Sequence, residues 1–119
     1  MTGKQSLSPI EKLRLIGDAR ESLDVWPDYL KLGLGREHIP ALIELAVDRR
    51  FLESDEETPE IWATVHAWRA LAQLRAVEAV EPLCGLLSLA DSAVNGDWIL
   101  EELPVVFGSI GPAALQALQ

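Results

Sequence analysis

Trp62, His66, Arg69 and Gln73 stand four, three and four residues apart, which places an indole, an imidazole, a guanidinium and an amide in one row along a helix at about 100° per residue. A second indole, Trp98, follows Trp62 at an interval of 36, and the same interval sets Glu102 against His66. Trp and Arg anchor protein interfaces because they combine a large contact area with directional polar groups. Trp62, His66, Arg69, Trp98, Glu101 and Glu102 therefore form a candidate binding row for a protein segment. The plainer alternative is structural: two indoles packed across a layer boundary, with a hydrogen bond between His66 and Glu102.

The residue patterns that carry covalent or metal chemistry do not occur. The sequence has no Gly-rich phosphate loop of the required spacing, no paired Cys/His metal pattern and no nucleophile elbow. His38, beside Glu37 at the start of a helical stretch, reads as a solvated or packing residue. Cys84 has Leu83, Gly85 and Leu86 as neighbours, which supply neither a base nor a positive setting to make a thiolate, so it reads as a small core residue. No catalytic residue, metal or cofactor is expected, and the chain does not read as an enzyme.

The elements that must position the row are legible from starts, stops and apolar spacing. Thr58-Pro59-Glu60 is a cap, a first-turn proline and a carboxylate at the positive end of a helix dipole. In the helix beyond this start, Ile61, Val65, Trp68 and Ala72 share the buried face, with Leu71 on its edge. A second helix puts Val80, Leu83, Leu86 and Leu87 on one side. Upstream, Ser8-Pro9-Ile10-Glu11 is a capping box, and Gly17-Asp18 suggests that helix's end. Trp26 is biased away from helix by the following Pro27, and Pro27 starts a short helix through Leu30 and Leu32. Gly33 and Gly35 allow a reversal, after which IPALIELAVDRRFL forms an amphipathic helix. Residues 53–60, ESDEETPE, make an acidic loop. Downstream, Asp97 is a candidate cap for a helix holding Trp98, Ile99, Glu102, Val105 and Val106, bent at Pro104 and ending near Gly108.

Composition bounds the reading further. A chain of 119 residues suits one domain, and 49% apolar content provides a core without any run near the ~18 residues of a membrane span. The N-terminus lacks an apolar signal-like segment, which points to the cytoplasm. Residues 1–50 balance eight Lys/Arg against eight Asp/Glu, whereas residues 51–119 hold two Arg against eleven Asp/Glu and so carry the whole net charge of −9. Binding phosphates takes several cations, so nucleic acid is not an expected partner, and neither is a membrane. A basic or mixed-charge protein segment is compatible with this surface.

Repetition is the strongest signal. Leu74 and Ile110 repeat the 36-residue interval of the two Trp, Ala79 and Ala114 lie 35 apart, as do Leu83 and Leu118, and Ile39-Pro40-Ala41-Leu42 matches Val80-Glu81-Pro82-Leu83 at 41. Three helix pairs of this length read as an all-α solenoid whose units bury their faces against one another. Residues 1–26 form an N-terminal capping segment, 27–52 the first repeat, 53–60 the acidic loop, 59–91 the second repeat and 92–119 the third, which Gln119 leaves short. Leu115 and Leu118 would then lie on an open last layer, which suggests a homodimer through the C-terminal edge.

LGREHIPALIELA, HAWRALAQLRAVEAVEPLCGLL and EELPVVFGSIGPAALQAL resemble HEAT-like repeats, including those of phycobilisome-lyase-like proteins, over residues 27–119. The resemblance implies a right-handed α-α superhelix of about three HEAT-like helix pairs serving as scaffold, adaptor or substrate-holding surface. The expected function is a non-catalytic protein–protein interaction scaffold. The alternative, a ligand-holding or lyase-type enzyme or chaperone of that same kind, requires a deep pocket with a perturbed carboxylate or histidine.

Overall fold

The computed structural model describes residues 8–17, 19, 25–48, 62–88 and 96–111, and every regular element among them is helical. The first, α1 (Pro9–Arg14), begins at the expected capping box: the Ser8 hydroxyl accepts the Glu11 N–H at 3.2 Å and Glu11 Oε1 accepts the Ser8 N–H at 2.9 Å. It ends at a Leu15 cap, before Gly17 turns the chain at φ +89°. Past Pro27, Asp28 caps a 3₁₀ turn, Tyr29–Leu32, which stops at Gly33 with φ +99°. The positive φ favours glycine here, and a Cβ on Gly33 would also stand a tight 3.3 Å from Pro9 Cγ. Gly35, expected to share the reversal, is extended at φ −143° and needs no such freedom.

One local unit, a 3₁₀ turn feeding a short helix, occurs twice. The turn Arg36–His38 leads into α2 (Ile39–Ala46); 41 residues later the turn Val77–Ala79 leads into a helix numbered α4 in chain order (Val80–Leu87). Ile39, Leu42 and Leu45 are buried in one copy and Val80, Leu83 and Leu86 in the other, at identical spacing. Each such side chain removed from water stabilises the fold by roughly 1.5–3 kcal/mol. Leu87, expected with this apolar row, is instead 40% exposed, whereas its counterpart Ala46 is buried. The two turns are tied together on the surface by Arg36 Nη2 and Glu78 Oε2 at 2.8 Å.

Between the copies lies α3 (Ala63–Gln73), and after them α5 (Gly96–Ile110). Asp97 sits inside the first turn of α5 rather than capping it. The helix runs through Pro104, whose missing N–H leaves the Leu100 carbonyl without its helical bond; both residues are exposed, on the side where water can replace that bond. At the C-terminus of α3 the Ala76 N–H reaches the Leu71 carbonyl and the Arg75 N–H reaches that of Ala72, both at 3.0 Å, with Arg75 left-handed at φ +53°. That pair of bonds satisfies two carbonyls the helix end would otherwise strand. Thirty-six residues on, Gly111 takes the corresponding position after Ile110, at φ +96°.

α3 is the hub. It packs most extensively on α2 and α5, and also on α1 and the Tyr29–Leu32 turn, while α4 lies against α5 and α2. Every residue from Ala63 to Ala72 is buried as a result. Sequence spacing predicted one buried face with a polar row beside it; His66 and Arg69 of that row are buried as well, and Trp62 and Gln73 at its ends partly so, because neighbours close on α3. Ala63, Ala67, Ala70 and Ala72 supply the small side chains such crowding demands. The expected start at Thr58-Pro59, the acidic loop 53–60, Ile61, and Leu115 and Leu118 of the C-terminal edge lie outside the described residues. No helix among the described residues is long and apolar enough to cross a membrane.

Candidate functional site

Two consecutive residues of α3, Trp68 and Arg69, reach across to one carboxylate on α5. Trp68 Nε1 donates to Glu102 Oε1 at 2.9 Å, Arg69 Nε donates to the same oxygen at 2.8 Å, and Arg69 Nη2 bonds Oε2, which makes the guanidinium–carboxylate pair bidentate. Arg69 is wholly buried and Glu102 almost so. Its guanidinium carbon lies 5.1 Å from the Trp26 ring centre and 5.9 Å from that of Trp98, within cation–π range of both. Burial works against the positive charge of Arg69, but Glu102 first, and Tyr29 beside it, outweigh it and hold its pKa above the ordinary arginine value. Desolvation of both groups consumes much of the attraction in a buried ion pair, so this one adds less net stability than its geometry suggests.

One turn earlier on α3 the polar group is His66. Its Nε2 lies 2.6 Å from the Gly17 carbonyl, which only accepts, so this nitrogen donates, and its Nδ1 lies 2.7 Å from the Tyr29 hydroxyl. Burial pushes the Tyr29 pKa up to about 12, although Arg69 pulls it the other way. Gln73, a turn beyond Arg69, uses both ends of its amide on the incoming chain: Nε2 donates to the Pro27 carbonyl at 2.7 Å and Oε1 accepts the Tyr29 N–H at 2.9 Å. Segment 25–32 is thus held to α3 by hydrogen bonds on each side of Tyr29 and by Trp26 over Arg69.

The six residues of the candidate row are consequently divided. Trp62 and Trp98 do meet, edge to face, with ring centres 5.2 Å apart and planes at 78°. His66 does not meet Glu102: the Gly17 loop and Tyr29 satisfy it, while Glu102 is drawn to Arg69 and Trp68 because a buried carboxylate requires a cation. His66, Arg69 and Glu102 lie inside, Trp62 and Trp98 are partly buried, and Glu101 is exposed. A continuous outward row of the six is not what the packing gives. Sequence spacing did not point to Trp26, Gly17 or Tyr29. Trp68 carried a signal, since a buried indole N–H needs an acceptor; for Trp26 and Tyr29 the hint was the aromatic pair flanking Pro27.

Over the ion pair the surface opens into a groove made of two adjoining cavities. One, of about 540 Å³, is lined by Val25, Trp26, Gln73, Glu101, Glu102 and Val105. The other, of about 420 Å³, runs on past Trp26 and Gln73 to Asp28, Leu30 and Arg75, and Ser109 borders both. Both are wide open to solvent. Val25 is 81% exposed, Val105 53% and Leu30 43%, so apolar side chains stand free along the walls.

Other candidate groups lie elsewhere. His38 Nδ1 accepts the Gly35 N–H at 3.0 Å, a bond that commits this nitrogen to capping the turn rather than to Glu37, whose carboxylate oxygen is 4.0 Å away. Cys84 is partly buried, and burial, with Glu81 adding to it, raises its thiol pKa. No group of His, Cys, Asp and Glu able to hold a metal ion occurs among the described residues. Comparison with known proteins finds no family model, no curated protein and no solved structure that matches the chain.

Proposed function

We propose that the chain is a non-catalytic protein-interaction module of the helical-repeat kind, and that its docking surface is the groove between segment 25–30 and α5. The observation that carries this is the free apolar lining, Val25, Leu30 and Val105, beside the partly buried Trp26 ring and above a rigid polar floor. Interfaces centre on such aromatic and apolar groups with a polar rim. The titratable groups beneath are spent on one another: His66 on Tyr29 and Gly17, Arg69 on Glu102. Tyr29 and Cys84, both with raised pKa values, are not poised as base or nucleophile at neutral pH.

The finer architecture belongs to the same proposal. In a right-handed HEAT-like stack, first helices pack on first helices and second on second. The Tyr29–Leu32 turn, α3 and α5 follow one another in the first role, and α2 and α4 are in contact in the second. The 41-residue recurrence of turn plus helix, and the left-handed Arg75 and Gly111 at 36, support three units and a capping α1. A ligand-holding protein of the lyase kind calls for an enclosed pocket, and both cavities here are open.

Panning a random peptide library against the chain tests the docking surface. Selected peptides are expected to lose at least about tenfold in affinity on Val105→Asp, the effect of one apolar hot spot, with helicity by circular dichroism unchanged. Peptides that bind wild type and variant equally would remove the groove from consideration.

A further inference from the structure

The groove has a chemical polarity that identifies its occupant more closely than apolar contact does. Among the described residues, the ionisable side chains that line the larger cavity are Glu101 and Glu102. Glu102 is matched from beneath by Arg69, so Glu101, which is exposed, is the carboxylate left to act on whatever lies above. Trp26 borders both cavities, and the Arg69 guanidinium carbon lies 5.1 Å from its ring centre. An indole and a carboxylate that line one cavity together with Val25 and Val105 are the components of a site for a cation carried on an apolar stem. Asp28 extends the negative potential into the smaller cavity, and Arg75 closes its far end with a positive charge.

We infer that the groove binds a segment of another protein in which a Lys or Arg lies next to an apolar residue, the cation seated between Glu101 and the Trp26 ring and the apolar side chain between Val25 and Val105. This rests on the groove being the docking surface, as proposed above. Charge complementarity decides between occupants. The chain carries −9 in all, and the half that contributes Glu101 and Val105 carries the whole of it, so a second copy meets repulsion where a basic segment meets attraction.

The test uses two short synthetic probes, one alternating lysine with leucine and one alternating glutamate with leucine, titrated against the full chain by fluorescence anisotropy. Three variants at exposed helical positions accompany the wild type: Glu101→Lys, Val105→Asp, and Glu81→Lys on α4, which changes net charge equally but lines neither cavity. The lysine probe is expected to bind, to weaken about tenfold with Glu101→Lys, and to change less than about twofold with Glu81→Lys, the difference between a local cation site and general attraction. Equal weakening by the two charge variants, or equal binding of the glutamate probe, overturns the cation site. If Val105→Asp abolishes binding and Glu101→Lys does not, the groove docks through apolar contact alone and only this inference falls. If neither variant matters, the docking surface falls with it. Self-association of the wild type that Val105→Asp removes, seen by light scattering without probe, replaces the basic segment with a second copy.

Discussion

α3 and α5 carry the same row of positions, 36 residues apart, and treat it in opposite ways. Trp62 corresponds to Trp98, His66 to Glu102, Arg69 to Val105 and Gln73 to Ser109. In α3 this row is interior: His66 and Arg69 are fully buried, and a hydrophobic Arg stem carries its charge to a carboxylate. In α5 the row is partly buried at Trp98, buried at Glu102 and then emerges, with Val105 and Ser109 on the wall of the groove. Burial therefore does not follow residue type here, since an arginine is inside and the valine at the matching position is outside. Neighbours decide it: among the described elements α3 packs on α1, α2, α5 and the Tyr29–Leu32 turn, and α5 chiefly on α3 and α4.

The largest test of this contrast is the ion pair that joins the two helices. Arg69→Leu strands an almost wholly buried Glu102 beneath the groove with the Trp68 N–H as its remaining described donor, and is expected to cost about 3–5 kcal/mol in urea unfolding. Adding Glu102→Leu should recover most of that loss, because two apolar groups need no partner. A cost below about 1 kcal/mol, the scale of the exposed Arg36–Glu78 pair, would mean that α3 is no drier than α5 and the contrast is void.

A smaller effect concerns Tyr29, which packs against α3 beside His66. The chain has one tyrosine, so ultraviolet titration of phenolate reads Tyr29 alone. Its pKa is about 12 when folded against 10.0 when free, so the unfolded state loses this proton first. Stability attributable to Tyr29 is then complete below pH 10 and falls as pH rises toward 12, by up to about 2–3 kcal/mol. Tyr29→Phe should lose its own increment from the His66 bond but show a shallower decline over that window. A phenol that titrates near 10 in the native protein would place Tyr29 in water and loosen segment 25–32 from α3.

The smallest expected change sharpens the comparison at the helix ends. Arg75 holds the left-handed conformation that Gly111 holds at the equivalent position. Arg75→Gly should relieve a steric cost of about 1–2 kcal/mol, offset in part by glycine's freedom when unfolded, for a net gain of about 0.5–1 kcal/mol in thermal or urea unfolding. A loss instead would show that the Arg75 side chain, at the end of the smaller cavity, contributes contacts that outweigh its backbone strain.

Local chemistry was legible in the sequence wherever a residue acts on its immediate neighbours. The Ser8 capping box, the stop at Gly33, the helical type of every described element, the buried Trp68 and the meeting of Trp62 with Trp98 all come from periodicity, caps and repeat interval, because those depend on residues a turn or one repeat apart. Tertiary structure alone decided that the polar row of α3 is enclosed, that Glu102 takes Arg69 and leaves His66 to Tyr29 and Gly17, and that Val105 stands free. Periodicity tells which side chains share a face, but which faces meet depends on how many neighbours close around a helix. Once they close, a buried charge takes whichever opposite charge its side chain can reach, however far away in the chain.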